Sequence, residues 1–336
     1  MSVTSLTTVR KAIEFGNPEY IPCYGLGNDP DNDVVSIPFV WRTLDHKPDK
    51  SYTTEWGFVV RPNTEGPGYH VDYSPLTNWD DYPKYRFPDI ADAQKALQDT
   101  YAAMITKNPS VFKDKYVLGH EAGGPYLFMA MIRGHENFFM DLLVEKEKIG
   151  DLFDRVVDYF IGLFKKWKAL GAHGVLCHED WGSSHGLIMS PASWREIFLP
   201  RYKKMKKAAN DMGMHFGIQV TGDVYEVLPD LIDMKLDFLF YPEMNAIGIK
   251  KFADVVRDKL CVFTAMDWKE TAPLGTPVDV RREIQEIVKE LSTPRGGLGF
   301  WLLRPPCKEE NYNEQVRVYK QCRYRPKTGS ALLNTN

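Results

Sequence analysis

Short apolar runs alternate with helical patterns along most of the chain. Runs typical of buried strands lie at residues 21–25, 116–119, 174–177, 215–220, 237–241, 260–265 and 298–303. Between two of them, apolar residues from Ile149 to Trp167 recur at spacings of three and four, which indicates an amphipathic helix. Gly171 then suits a helix C-cap, and Ser190-Pro191 suits the start of the next helix. This alternation predicts a parallel sheet with right-handed crossovers.

The number of strands favours a closed (β/α)8 TIM-type barrel over an open sheet. Seven runs are visible, and an eighth is predicted between residues 33 and 89. Residues 29–88 do not fit the repeat, because they are rich in Pro, Gly, Asp and aromatics and contain an alternating stretch at 56–62. We therefore predict one barrel domain over 1–325. This domain includes an N-terminal insertion at about 29–90, which we predict to form a hairpin-bearing lid over the C-terminal face. A polar tail follows at 326–336.

The composition of the chain indicates which partners and which cellular compartment to expect. The formal net charge of −3 over 336 residues gives no reason to expect nucleic acid or an acidic membrane surface as a partner. An odd number of cysteines without a CxxC pair favours a reducing compartment. Neither a signal peptide nor an apolar run of about 18 residues is present, so a cytoplasmic location is expected.

Polar residues follow most of the predicted strands, where barrel enzymes place their chemistry. They are His120, Glu121, His178, Glu179, Asp180, Gln219, Thr221, Asp223, Glu243, Asp267, Arg304 and Cys307. We predict His178, Glu179 and Asp180 as catalytic, because neighbouring carboxylates can divide into acid and base roles. The alternatives are a buried, hydrogen-bonded His178 and a helix-capping Asp223.

Two further groups are candidates for binding. Glu243, Asp267 and Cys307 follow consecutive strands and form an acceptable zinc set with one open position, although Cys307 also suits a simple loop. Aromatic residues near strand ends suit a flat apolar ligand, although core packing explains each one singly. The predicted substrate-binding residues are Trp56, Tyr126, Phe128, Trp181, Gln219, Tyr241, Trp301 and Arg304. Nucleotide-binding and GxSxG motifs are absent from the sequence.

Several segments resemble the uroporphyrinogen decarboxylase-like superfamily over about residues 8–322. They are 10–22, Gly123-Gly-Pro125, 133–141, 179–182, the Ser-Pro-x-x-Trp-Arg-Glu block within 190–202, and 228–232. This resemblance also implies a (β/α)8 barrel. Decarboxylases of the superfamily hold tetrapyrrole propionates with an arginine-rich N-terminal stretch. The equivalent residues 24–33 are acidic here, which argues against a polyanionic porphyrinogen.

The resemblance therefore implies the branch of corrinoid-dependent methyltransferases, whose O-demethylase members have a lid segment similar to residues 55–60. Many members bind zinc through a His-x-Cys pair, where this chain has Gln219 and Thr221. O-demethylase members use other ligand sets near later strand ends, and Glu243, Asp267 and Cys307 match those positions.

The expected function is methyl transfer from a phenyl methyl ether to cob(I)alamin on a separate corrinoid protein that docks at the barrel mouth. Zinc acting as a Lewis acid, or a proton from Glu179, Asp180 or His178, would assist the phenolate leaving group. A homodimer is also an expectation. The alternatives are a methylcobalamin:tetrahydrofolate methyltransferase, a decarboxylase of a smaller acid and a non-catalytic corrinoid-binding barrel.

Overall fold

The computed structural model describes residues 3–39, 41–47, 49–63, 69–121, 123–302 and 307–324. The strands are β1 Cys23–Tyr24, β2 Val34–Phe39, β3 Thr43–His46, β4 Tyr52–Thr54, β5 Val59–Pro62, β6 Tyr69–Tyr73, β7 Tyr116–Glu121, β8 Gly174–His178, β9 Gly182–Ser183, β10 Gly186–Leu187, β11 His215–Gln219, β12 Phe238–Phe240, β13 Cys261–Thr264 and β14 Leu298–Trp301. The α-helices are α1 Ser5–Ile13, α2 Ile90–Lys107, α3 Pro125–Arg133, α4 His135–Val144, α5 Lys146–Ala169, α6 Pro191–Ser193, α7 Leu199–Asp211, α8 Leu228–Asp233, α9 Ile249–Val256, α10 Thr271–Leu274, α11 Pro277–Leu291 and α12 Glu309–Cys322. Short 3-10 helices lie at Trp79–Lys84, Tyr225–Val227 and Met244–Ala246, and a π-helical turn at Trp194–Phe198.

Within the described residues, eight strands close into a parallel barrel in the order β1-β14-β13-β12-β11-β8-β7-β2. The predicted TIM-type barrel is thus confirmed, and each of the seven apolar runs overlaps a barrel strand. The eighth is β2, which lies inside the segment predicted as an insertion. The departure from the βα repeat therefore begins after Phe39 rather than at Asp29. None of the described helices combines the length and apolar character needed to cross a membrane.

The segment after β2 forms a four-stranded antiparallel sheet in the order β3-β4-β5-β6, where the sequence predicted a hairpin. Its apolar residues pack on helices. The indole of Trp56 lies edge-on to Phe128 of α3, with ring centroids 4.9 Å apart, and to Tyr159 of α5, 4.7 Å apart. Phe58 and Trp41 complete this cluster, at 5.4 Å from each other. The buried aromatic rings therefore fix the sheet onto α3 and α5.

By its contacts the chain divides into two compact units, one of residues 36–113 and 117–236 and the other of residues up to 35, 114–116 and from 237 onward. In the first, α5 supplies the central apolar face, as its spacing predicted. Gly119 of β7 lies directly on Trp167, where a Cβ atom would overlap the indole. The indole nitrogen of Trp167 donates to the carbonyl of Ile37 at 2.9 Å, so α5 is fastened to β2 as well.

The helix after β8 is also in the first unit, and it contains an irregular turn. Ser190 caps its start by accepting a hydrogen bond from the backbone N–H of Ser193 at 3.0 Å, as the Ser-Pro signal predicted. The N–H of Leu199 then bonds to the carbonyl of Trp194, which is the five-residue spacing of a π turn. This turn sets the direction in which the side chains of α7 point.

The second unit has a buried ion pair near β1. Asp33 is fully buried and lies 3.1 Å from the guanidinium of Arg323 at the end of α12. The hydroxyl of Tyr20 and the backbone N–H of Cys23 both donate to Asp33 at 2.9 Å. Through these contacts the pair ties α12 to the first barrel strand.

Candidate active site

Two histidines meet at the ends of β7 and β8. Gly119 faces the helix layer, so the next residue, His120, faces the barrel interior. His120 pairs with Leu176, and His178 lies two residues further on the same side. Their Nε2 atoms are in hydrogen-bond contact, with ring centroids 4.4 Å apart. One ring must therefore donate while the other accepts.

Burial keeps both rings uncharged at neutral pH. It lowers the pKa of His120 to about 4, and burial together with His120 lowers the pKa of His178 well below its usual value. The sequence left open a protonated His178 as the proton donor. This environment disfavours that role, because the imidazolium form would be both desolvated and next to another ring.

Glu179 follows β8 and is only 2% exposed. Its Oε1 atom accepts a hydrogen bond from the hydroxyl of Tyr202 on α7, and the backbone N–H of Tyr126 lies 3.4 Å away. The N–H of Leu127 also faces the carboxyl group. These two N–H groups belong to the first turn of α3, whose N-cap, Gly124, has no side chain to satisfy them.

The carboxyl group of Glu179 is held in its protonated form. Burial raises its pKa to about 8, although the hydrogen bonds from Tyr202 and from the start of α3 act in the opposite direction. The charge of Asp180 adds a smaller upward contribution. Among the described residues, Oε2 of Glu179 has no hydrogen-bond partner. The site therefore holds a carboxylic acid with one oxygen free to act.

Asp180 is exposed, in contrast to Glu179, and it accepts a hydrogen bond from the hydroxyl of Thr221. The loops after β8 and β11 also touch through two glycines, since a Cβ atom on Gly182 or Gly222 would overlap the other loop's backbone. Asp223 uses its carboxylate to accept from the N–H of Tyr225 at 2.9 Å, which is a cap-like role. The two loops are thus held together at the strand ends.

Two of the predicted substrate-binding residues lie next to the residues described above: Gln219 beside His178, and Tyr126 beside Glu179. Gln219 pairs with His178 in register, and its backbone carbonyl accepts from the N–H of Glu179 at 2.8 Å. Its side-chain Oε1 is buried and has no partner among the described residues. Tyr126 is 3% exposed, and burial raises its pKa above the usual value. The structure therefore brings both residues to the site.

The other predicted aromatic contacts lie in packed interiors. Trp56 and Phe128 belong to the cluster between the antiparallel sheet and the helices, and Trp181 packs on Trp194 and Tyr202 at 5.2 and 5.0 Å. In the second unit, Tyr241 stacks on Phe252 of α9 at 4.9 Å, and Trp301 packs edge-on to Phe240 at 5.0 Å. Their substrate-binding role stays a prediction. Arg304 and the side chain of Glu121 lie outside the described residues.

The predicted zinc residues of the second unit have other partners. Glu243 accepts from the indole N–H of Trp268 and pairs with Lys269 at 2.9 Å. Asp267 accepts from the backbone N–H groups of Lys269 and Glu270, both at 2.9 Å.

Among the described residues, which include Cys307, no three His, Cys, Asp or Glu side chains form a group that could hold a metal ion. Glu243, Asp267 and Cys307 are thus not grouped as a metal centre in the described structure, and Oδ1 of Asp267 faces the backbone of its own loop. Their zinc-binding role stays a prediction.

The acidic segment 24–33 should repel an anionic substrate less strongly than its sequence alone indicates. Asp29 pairs with Lys320 at 2.7 Å, and Asp33 with Arg323 at 3.1 Å. Since these cations offset the charge, the electrostatic argument against an anionic substrate is weaker than the composition alone implied.

Tyr202 is the site residue that the sequence reasoning did not single out. It lies 23 positions after Glu179 on a helix that reads as amphipathic, and it is fully buried. It does belong to the block 190–202 on which the family resemblance rests, which was the available signal.

A closed parallel barrel with ionisable side chains at its strand ends is the architecture of (β/α)8 enzymes. The uroporphyrinogen decarboxylase (URO-D) family matches residues 59–299, more than two thirds of the chain, and the protein belongs to this family. No curated protein matches the sequence.

Solved structures with the same fold include a methyltransferase from Methanosarcina mazei. It is 16% identical, with a TM-score of 0.73 over 95% of this chain and 99% of that one. A B12-independent methionine synthase from a Shewanella species has a TM-score of 0.43 at 9% identity, covering 69% of this chain and 64% of that one. A 3-keto-D-glucoside 4-epimerase from E. coli has a TM-score of 0.39 at 11% identity, covering 74% and 96%. The last two similarities are too low to carry an argument.

Proposed function

We propose that the protein transfers a methyl group from a methoxylated aromatic to cob(I)alamin, which is presented by a separate corrinoid protein. The full-length similarity in fold to a methyltransferase supports this class of reaction. The observation that carries the proposal is the neutral carboxylic acid of Glu179 at the end of β8, held by Tyr202 and the start of α3 with its Oε2 atom unpaired among the described residues. In this proposal the corrinoid is the second substrate.

The chemistry requires an acid at this place. The cobalt(I) nucleophile supplies the electron pair of the new cobalt–carbon bond, while the pair of the broken carbon–oxygen bond stays on the phenol oxygen. That oxygen must gain a proton or a counter-charge, since an unassisted phenolate is a poor leaving group. Glu179 holds its proton up to a pH of about 8, so it can supply one in the physiological range.

The neighbouring groups have different tasks in this scheme. His178 and His120 are neutral, so they can hydrogen-bond to the substrate but cannot protonate it as cations. Asp180 is exposed at the next position and can return a proton from solvent to Glu179. Gln219 offers a buried carbonyl oxygen for a donor on the substrate. This scheme uses a proton from Glu179 and needs no zinc, while zinc binding by Glu243, Asp267 and Cys307 stays a prediction.

The test is methylcobalamin formation from a panel of methoxyarenes and free cob(I)alamin. We expect Glu179→Gln to lower the rate by about 10²–10⁴, the usual contribution of a positioned acid. Glu283→Gln is the matched control, since Glu283 is also buried with a raised pKa but lies in the other unit. Wild-type rates for both variants, or no methyl transfer from any ether, would contradict the proposal.

A decarboxylase is the second candidate, and one specific observation favours it. The pairing of Asp29 and Asp33 with basic residues removes part of the objection to an anionic substrate. Glu179 would then protonate the carbon left behind by carbon dioxide. Release of carbon dioxide from a small aromatic or pyrrolic acid, with the same loss in Glu179→Gln, would decide for this alternative.

A further inference from the structure

The two oxygens of Glu179 have different surroundings. Oε1 accepts the Tyr202 hydroxyl and faces the start of α3, whereas Oε2 has no partner within the described part of the chain. A protonated carboxyl group has one oxygen that carries hydrogen and one that only accepts. Because Oε1 is already approached by donors, the hydrogen belongs on Oε2.

Tyr202 is able to enforce this arrangement over a wide pH range. Burial and the adjacent Glu179 raise its pKa well above 10, so the phenol keeps its hydrogen and remains a donor. Its ring is fully buried between Trp181, at 5.0 Å, and Phe153, at 6.3 Å. The hydroxyl therefore has a fixed position from which to donate.

The other titratable groups near the carboxyl cannot replace Tyr202. Tyr126 on α3 faces Glu179 with its backbone N–H, and Asp180 in the same loop is an acceptor that raises the pKa of Glu179. His178 precedes Glu179 on β8, and burial keeps it neutral. Tyr202 on α7 supplies the side-chain hydrogen bond that stabilises the carboxylate form.

We propose that Tyr202 is a positioning residue that confines the proton of Glu179 to Oε2, the oxygen that delivers it to the leaving group. The inference rests on the proposed function for its catalytic consequence, but the placement of the proton can be tested without turnover. Gly124 completes the arrangement, because a side chain at this position would displace the carboxyl group.

The experiment compares wild type with Tyr202→Phe in two measurements. The first is the pH dependence of methyl transfer. Activity needs protonated Glu179 and is lost as the pH rises through its pKa of about 8. Without the hydroxyl the carboxylate is less stable, so the alkaline limb moves to higher pH while the maximal rate falls about tenfold. A purely structural role would lower the rate without moving the limb.

The second measurement is the infrared difference spectrum between acidic and alkaline pH, with Glu179→Gln assigning the carboxyl band. In wild type we expect a C=O stretch lowered by hydrogen bonding to Oε1, and in Tyr202→Phe a band at higher frequency with a higher titration midpoint. Tyr159→Phe is the control, because Tyr159 is buried in the same unit and packs on Trp56. Its spectrum and pH profile should equal those of wild type.

A wild-type band at the frequency of a free carbonyl overturns the proposal even if Tyr202→Phe does not fold, and so does an unchanged band in a folded variant. Shifts in the infrared titration without methyl transfer from any ether would support the placement of the proton and reject the methyltransferase function. The two failures are therefore distinguishable.

Discussion

Glu179 occupies the space beside Gly124 that a side chain would fill. A Cβ atom on Gly124 would overlap the carboxyl group of Glu179 and the carbonyl oxygen of His178. The absence of that side chain lets a residue from β8 satisfy the first turn of α3, which lacks a cap of its own. The glycine is therefore required by the packing of the site, since its own φ of −115° is accessible to other residues.

Gly124→Ala should accordingly destabilise the protein by about 1–3 kcal/mol, the usual cost of overpacking, and lower methyl transfer. Urea denaturation measures the first effect. The control is Gly16→Ala, where the nearest atom to a new Cβ is the Cγ of Lys11 at an ordinary 3.4 Å. Equal changes in unfolding free energy for the two variants would show that the space beside Glu179 is not restrictive.

Stability should fall as the pH rises, because buried Glu283 resists ionisation. Burial raises its pKa from 4.5 to about 7. Between these values the unfolded chain releases the proton while the folded protein retains it, so the contribution is complete at low pH and is lost as the pH rises toward 7. The shift corresponds to roughly 3 kcal/mol.

Glu283→Gln should reduce this dependence without abolishing it, because the raised pKa of Glu179 acts in the same direction. The measurement is the free energy of unfolding in urea at several pH values. Gln keeps the oxygen that accepts from the N–H of Asp267 at 2.8 Å in wild type. The exposed Glu309 on α12 provides the control, and Glu309→Gln should retain the wild-type slope. A wild-type slope in Glu283→Gln would mean that other groups cause the pH dependence.

The pair Arg133–Asp141 should be a major structural contact. Both residues are 4% exposed, and the Nε–Oδ2 distance is 2.6 Å. Among the described residues, Arg133→Met leaves the buried Asp141 side chain with the indole N–H of Trp79, at 3.2 Å, as its remaining side-chain donor, so we expect a loss of about 3–5 kcal/mol.

The matched variant is Lys95→Met, since Lys95 pairs with Asp99 while both side chains are largely exposed, at 78% and 68%. It should change the unfolding free energy by less than about 0.5 kcal/mol. Losses of similar size in the two variants would show that burial does not strengthen the role of Arg133.

The barrel could be predicted from sequence because its signals are local. The strand runs are short and apolar, most of them are followed by a helix, and some helix ends carry a recognisable signal, as at Ser190 and Gly171. The antiparallel sheet was underestimated for an equally local reason. All four residues of β3 are exposed, so the strand has no alternation of polar and apolar positions to reveal it.

The site could be predicted only as a set of strand ends. The fold repeat predicts that His178, Glu179 and Gln219 lie at strand ends, which is where the structure has them. Which side chains meet depends on the loops, and Asp267 turned out to bond to its own backbone. The sequence also could not show whether Trp56 packs in the core or contacts a ligand, because an apolar ring suits both roles.

The π turn at Trp194–Phe198 adds one residue to a helix and rotates all later positions by about 100°. The meeting of Tyr202 with Glu179 thus depends on helix length as well as on residue identity. A homologue with one amino acid fewer in this turn could retain both the tyrosine and the glutamate and still aim the phenol away. Alignments that place this helix without a gap would then assign the pair to proteins that do not form it.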